Sequence, residues 1–458
     1  MNAVLMIIIP LLVAFISILF KKIAPYLLLT VSLGLIVLLG FLPQETITIG
    51  GFAAPYGISL VLDNYSITAL YIVNILFFVV VALNIVKYKK LSTILLVALA
   101  GLNGLMLTGD LFNLFVFLEI TGISAYLVTT TNKKPLHTFN YLVAGTVGSS
   151  LYLLGLIILY NMFGTLNMVD LATELTTLNV SAMEVALPFL LMFIGLGVES
   201  KLLPFSSWVK GVLGTSNSLS GPMIAAVYAA ASLFVFGRLL TEVFIISDQL
   251  LLVISAIITF SIVAGETAAY SSSKAREILL FSSIAQAGIA VLVFANGYVG
   301  LGVLFVSLNA FSKLVLFTVV NYANESVGSD EVKDLQGLFV NNKLVGISFT
   351  VAILSILGLP LFAGFYAKIG ILAELFDTGS YFFPAVILLS SVIEGVYFIK
   401  LLVKLWFSEE KVVNVRFNYS IIYVVVVVAM LLVIFGLYIE PLQNHLGLLV
   451  SIVKGGVL

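Results

Sequence analysis

The sequence predicts an all-α polytopic membrane protein of about fourteen transmembrane helices, with two inverted five-helix repeats and two broken helices, and three observations carry that prediction. The first is composition. Of 458 residues, 61% are hydrophobic and only 9% charged, with a mean hydropathy of +1.21, and no soluble domain of this length covers such a core. The second is a train of apolar runs, each long enough for a crossing at about 20 residues. The third is an alternation of charge between successive connections. A net charge of −1 excludes a strongly basic nucleic-acid surface. With no cysteine there are no disulfides and no thiolate metal sites, and two histidines, His137 and His445, are too few for haem or zinc ligation, so no cofactor or metal is expected.

The runs fall near 3–20, 24–43, 65–86, 91–109, 111–130, 138–162, 184–204, 222–243, 249–270, 278–296, 299–322, 344–374, 381–405 and 419–439. The first lacks a basic leader and a small-residue cleavage site and reads as a retained span. Fifteen of the 21 basic residues, from Lys21 and Lys22 to Lys411 and Arg416, lie in or beside odd-numbered connections. The even-numbered ones carry Glu45, Asp110, Asp170, Glu174, Asp248 and Asp377. Miscounting one span would scramble the pattern. The positive-inside rule then places a multi-pass chain in the cell membrane with both termini outside.

Span seven contains Gly197-Val198-Glu199-Ser200-Lys201-Leu202-Leu203-Pro204-Phe205. A proline lacks the amide hydrogen and clashes with the preceding turn, so the helix breaks here. Broken backbone at membrane depth needs cover from protein or water. Span twelve is too long for one straight crossing and contains Gly358, Pro360 and Gly364, which makes it a second broken helix. The two breaks lie five spans apart and so run in opposite directions. That spacing suggests one membrane domain over 1–458: peripheral helices in 1–90, a first inverted repeat in 91–243, a second in 249–405, and a last helix with a short tail in 419–458. Ionisable residues left within or close to spans are Lys201, Lys313, Lys368 and Lys400, with Glu119, Glu199, Glu266, Glu374 and Glu394. A charge at mid-depth costs roughly 3 kcal/mol on insertion scales, which makes each a functional candidate.

Several stretches resemble one family. Asp110-Leu-Phe-Asn-Leu-Phe-Val-Phe-Leu-Glu119 with Ser124-Ala-Tyr126 resembles the fifth helix of the antiporter-like subunits of complex I and of Mrp-type cation/proton antiporters. Glu199-Ser-Lys201-Leu-Leu-Pro204-Phe-Ser-Ser-Trp208 resembles their seventh helix. Lys274 to Gly288 is similar to the ninth loop and tenth helix, Asn309-Ala-Phe-Ser-Lys313 to the eleventh, and Gly358 to Lys368 to the twelfth. The resemblance implies a proton path through Glu119, Lys201, Lys313 and Lys368, in which the glutamate biases the lysine's proton affinity. Glu199, Asn309, Tyr228, Ser232 and Glu394 are auxiliary candidates. It also implies a larger complex with other membrane subunits, protons as cargo with sodium exchange left open, and redox chemistry confined to partners.

Three departures qualify this. Where the family's eighth helix has a lysine, this chain reads Ala229-Ala230-Ala231, and Asn309 stands where a histidine is common. Ordered water bound to Tyr228, Ser232, Ser307 and Asn309 would bridge such a gap. After Pro441 only seventeen residues remain, which resembles the shorter type, as in the D-type Mrp polypeptide or membrane-bound hydrogenase-type complexes. Structural alternatives stay open. On these, Glu119 is a protonated structural acid, Lys368 a snorkelling interface residue, Lys400 an inner-surface anchor, and Glu394 the helix partner of Lys400 or an ion ligand. For the chain as a whole, the alternative is a degenerate, non-conducting subunit that anchors partners.

Overall fold

A computed structural model of the chain describes residues 2–177, 183–244, 248–377, 379, 381–408 and 412–440. Lys411 and the expected short tail, with His445 and Lys454, lie outside the described residues. The chain divides into two compact units. The first comprises Met1–Trp208, Val227–Ala256 and Phe294–Gly297, and the second Val209–Ala226, Ile257–Val293 and Tyr298–Leu458.

The first unit is built on α1 (Leu5–Leu19), α2 (Ala24–Leu39), α3 (Asn64–Asn84), α4 (Ser92–Leu107), α5 (Leu111–Thr129), α6 (Pro135–Phe163), α7 (Met168–Thr177) and α8 (Ala186–Glu199). Sequence sets their ends. Asp63 caps α3 in a reciprocal box with Ser66, and Asp110 caps α5 by accepting the Asn113 amide at 2.7 Å. Pro135 opens α6, where a missing amide hydrogen costs nothing, and Gly164 closes it at φ +69. Helix α6 packs against α8 through glycines. A Cβ on Gly195 would come within 2.5 Å of the Gly148 carbonyl, and one on Gly155 within 2.6 Å of that of Pro188. Small residues let backbones approach where lipid supplies no hydrophobic drive between helices.

The second unit takes α9 (Ser207–Gly214), whose first two residues belong to the first unit, and α10 (Ser220–Pro222). A π-helical segment (Met223–Tyr228) leads from α10 back to the first unit, to which α11 (Ala229–Arg238) belongs. Helix α12 (Asp248–Ser271) starts in the first unit and enters the second at Ile257, which also takes α13 (Ala275–Ala295) up to Val293, α14 (Val299–Val327), α15 (Lys343–Leu357), α16 (Ala363–Asp377), α17 (Phe382–Trp406) and α18 (Tyr419–Leu437). Helix α18 packs on α14, α15 and α16.

Among the described residues, ten helices are long and apolar enough to cross a membrane, and four shorter apolar ones cover Leu5–Leu19, Ala24–Leu39, Ala186–Glu199 and Lys343–Leu357. The chain is a multi-pass membrane protein. One feature departs from the all-α expectation, and one short helix was not foreseen. Strands β1 (Glu45–Thr48) and β2 (Ser59–Leu62) form an antiparallel hairpin, and the short helix α7 lies between α6 and α8. A search for 20-residue apolar runs passes over elements this short.

Candidate functional site

The first break lies where the sequence placed it. Helix α8 stops at Glu199, and Lys201 takes φ +67. Its amide donates to Val198 O at 3.3 Å and the Leu202 amide to Gly197 O at 2.8 Å. This pair of bonds is the Schellman ending, whose left-handed position is ordinarily glycine. A side chain there costs about 1–2 kcal/mol, so local stability does not explain a lysine. Lys201 is 1% exposed. Trp208, at the start of α9, donates its indole N–H to Val198 O at 3.1 Å, adding a donor to the last turn of α8. Its ring stacks on Tyr141 at 3.8 Å between centroids. Tyr141 donates its hydroxyl to Glu199 Oε2 at 3.3 Å. Tyr126 meets Tyr141 edge-on at 4.7 Å. A Cβ on Gly145 would overlap the Tyr126 hydroxyl and lie 3.2 Å from Glu199 Oε1, so the glycine makes room for both.

Glu119, on α5, is half-buried and lies within electrostatic reach of Glu199 and Tyr126. Two carboxylates therefore gather beside the break. The Tyr228 hydroxyl, at the end of the π-helical segment, shares a hydrogen bond of 2.7 Å with Ser124 of α5. Ser232 returns its hydroxyl to Ala229 O at 3.1 Å, and Ser307, in α14 of the second unit, does the same to Val303 O at 2.7 Å. Ala230, 2% exposed, is packed on all sides.

The second break repeats the Schellman geometry with the usual residue. Gly358 takes φ +72, its amide donates to Ser355 O at 3.0 Å, and the Leu359 amide donates to Leu354 O at 3.1 Å. Lys368, one turn into α16, folds back over it. Its ammonium donates to Leu357 O at 3.3 Å, Ser391 Oγ at 3.2 Å and Glu394 Oε2 at 2.7 Å. All three donors are used, one of them on the carbonyl end of α15, where a cation is favoured. Buried in this way, Lys368 does not snorkel. Glu394 pairs with Lys368 rather than with Lys400, and its other oxygen accepts from Gln286 Nε2 at 2.6 Å. Lys400 is exposed and its ammonium sits 4.5 Å from the Tyr270 ring centroid.

Lys313, 5% exposed on α14, feels the charge of Glu394. Asn309, one turn earlier, donates to Phe305 O at 3.1 Å, while its Oδ1 and the Ser312 hydroxyl have no partner among the described residues. Both residues line a cavity of about 10 Å³ together with Lys368, near the volume one water needs. The four residues of the expected axis thus divide two and two: Glu119 and Lys201 in the first unit, Lys313 and Lys368 in the second. Sequence reasoning gave no role to Tyr141, Trp208 or Gln286. Gln286 is a long amide in an apolar helix and was detectable by that signal; Tyr141 carried none.

Residues 108–394 match the family described as NADH:quinone oxidoreductase/Mrp antiporter, transmembrane region. The chain belongs to this family. NADH-quinone oxidoreductase subunit N of Desulforudis audaxviator is 32% identical over 372 residues, covering 77% of this chain and 74% of that one. A Na(+)/H(+) antiporter subunit of Bacillus subtilis, the D-type polypeptide, is 25% identical over 415 residues, covering 86% and 83%. Among solved structures, a chain of the membrane-bound sulfane sulfur reductase, an archaeal respiratory membrane complex, superposes with a TM-score of 0.90 at 27% identity, covering 97% of this chain and 96% of that one. A chain of the Mrp complex from Dietzia, at 18% identity, shares the fold with a TM-score of 0.87, covering 97% and 96%. In this member of the oxidoreductase/antiporter family the matched region starts just before α5 and ends at Glu394, so it contains both breaks and every buried lysine described above.

Proposed function

We propose that the chain is a proton-translocating subunit of a multi-subunit membrane complex, with the path running through Glu119, Lys201, Lys313 and Lys368. The observation that carries this reading is Lys201, buried and left-handed at a helix break where glycine would be more stable. A lysine kept at such a cost has its ammonium as the reason. Glu199, two residues before it, and Glu119, within electrostatic reach of Glu199, bring two acids to the same break. Glu394 supplies the counter-charge of Lys368 and acts on Lys313.

Membership of the family supports partner subunits in the same membrane. The ten long and four shorter apolar helices support fourteen spans, counting α8 with α9 and α15 with α16 as broken crossings. The paired Schellman breaks support inverted repeats over spans four to eight and nine to thirteen. Both termini then lie outside. Sodium exchange is a further arm of the same reading, since one relative bears the name of a sodium/proton antiporter component.

The buried alanines at 229–231 and the inward-bonded hydroxyls of Ser232 and Ser307 favour a second reading, a non-conducting subunit that anchors partners. Proton uptake by membrane vesicles carrying the whole complex separates the two. Under the first reading Lys201→Arg, whose side chain does not release its proton, abolishes coupled uptake with assembly intact. Full uptake overturns it.

A further inference from the structure

A second carboxylate sits near the Lys368–Glu394 pair. Glu266, on α12, is 1% exposed and lies within electrostatic reach of both Glu394 and Lys368. Among the described residues neither of its oxygens has a hydrogen-bond partner, nor does Gln286 Oε1. Tyr397, one turn beyond Glu394 on α17 and 2% exposed, places its hydroxyl beside Glu266 and Ser282 without a hydrogen bond of ordinary length to either. Tyr397 also lines a cavity of about 270 Å³ whose other walls include Tyr270, Lys333, Lys400 and Lys404. Lys333 and Lys400 are exposed, so the cavity reaches the face of the basic connections.

These observations close on one chemistry. Lys368 is committed to Glu394, whose two oxygens are both occupied. An unpaired carboxylate in a low-dielectric interior is worth several kcal/mol less than a neutral acid, so it takes up a proton or a cation. The ammonium of Lys368 repels a metal ion, and among the described residues no group of three or more acidic, histidine or cysteine side chains is gathered to hold one. A proton needs neither. We propose that Glu266 carries an exchangeable proton in this subunit, linked through Tyr397 to the cavity on the basic face and through Glu394 to Lys368.

The transfer balances. A hydronium ion in the cavity gives a proton to the Tyr397 oxygen and is left as water, while the tyrosine's own proton passes to the Glu266 carboxylate, so tyrosine ends as it began. Glu266 then passes a proton to Glu394. With Glu394 neutral, the Lys368 ammonium loses its counter-charge and is primed to release its own proton. Lys313, which also feels Glu394, responds to the same event.

The inference rests on the translocation reading above, and the test keeps the two apart. The probe is proton uptake by vesicles carrying the whole complex, with Lys201→Ala as reference, together with infrared difference spectra of the full chain, wild type minus Glu266→Gln. Expected are a neutral carboxylic-acid band that shifts in deuterium oxide, and a tenfold or greater loss of uptake in Glu266→Gln and Tyr397→Phe, with Glu266→Asp partly active. Full uptake by Glu266→Gln in a complex that Lys201→Ala silences overturns the inference and leaves the translocation reading standing. If Lys201→Ala is without effect as well, that reading falls, and the infrared band alone decides for or against a protonated Glu266. A band that is absent, or that disappears when sodium replaces choline, assigns the site to a structural carboxylate or to a metal cation and overturns the proposal.

Discussion

Lys201 and Gly358 occupy the same position of the same helix-ending motif, each left-handed and each followed by an amide that bonds five residues back. One break uses the residue the geometry favours; the other puts a lysine there. The left-handed cost is separable from the charge. Lys201→Gly is expected to be more stable than Lys201→Ala by about 1 kcal/mol, read as thermal unfolding of the full chain, while both lose proton uptake. Equal stability would show that residue 201 is not left-handed in the working protein.

The breaks were legible because their causes are local. Pro204 and the Gly358-Leu-Pro360 run forbid continuous helix whatever surrounds them. The partners of the buried charges were not legible in the same way. Helical periodicity says which residues share a face, but not the register or rotation of one helix against another. Glu394 is six residues from Lys400 and 26 from Lys368, and the structure pairs it with the distant one. The α6–α8 contact that positions Glu199 depends on Gly148, Gly155 and Gly195, which in an apolar run look like ordinary membrane glycines. Glu266 stood out as an acid at membrane depth, yet nothing in the sequence joined it to Tyr397.

The Lys368–Glu394 pair predicts strong coupling. Removing one partner strands a buried charge at a cost of about 3–5 kcal/mol, whereas replacing both by apolar residues is often neutral. Lys368→Met and Glu394→Leu are each expected to destabilise the chain clearly, and the double variant to recover most of the loss. Additive losses in that cycle would mean the pair is not formed.

Away from the buried sites, Asp63 joins Arg238 at 2.6 Å just before α3 begins. Burial pushes the Asp63 carboxyl up, but the Arg238 guanidinium and the bonds from Ser66 outweigh it and hold the group below its ordinary 3.8. A carboxyl lower in the folded than in the unfolded chain adds stability above the unfolded value and loses it as pH falls through the folded one. Unfolding temperatures of wild type should therefore converge on those of Asp63→Asn only below about pH 4, with wild type higher at pH 7. Parallel curves across that range would assign the contact no pH dependence.

Orientation is open to direct labelling, because the chain has no cysteine. Thr173 on α7 and Lys333 before α15 are both exposed and belong to connections of opposite charge character. Thr173→Cys should react with an impermeant thiol reagent from the outer side and Lys333→Cys from the inner side. Reaction from one common side would reject the fourteen-span topology.

The final expectation concerns the interval between Lys313 and Lys368 in the second unit. Asn309 Oδ1 and the Ser312 hydroxyl lack partners among the described residues, and both residues line a cavity of about 10 Å³ with Lys368. Asparagine does not titrate, so a proton crossing here depends on an ordered water held by those groups. Asn309→Leu removes the polar lining and fills the space; it should cut proton uptake about tenfold, a barrier increase of about 1.4 kcal/mol, without lowering thermal stability. Asn309→His offers a group that titrates near neutrality and should retain or raise uptake. If the leucine variant pumps at full rate while Lys368→Met does not, protons reach Lys368 by another way, and the route through Glu266 and Tyr397 becomes its supply.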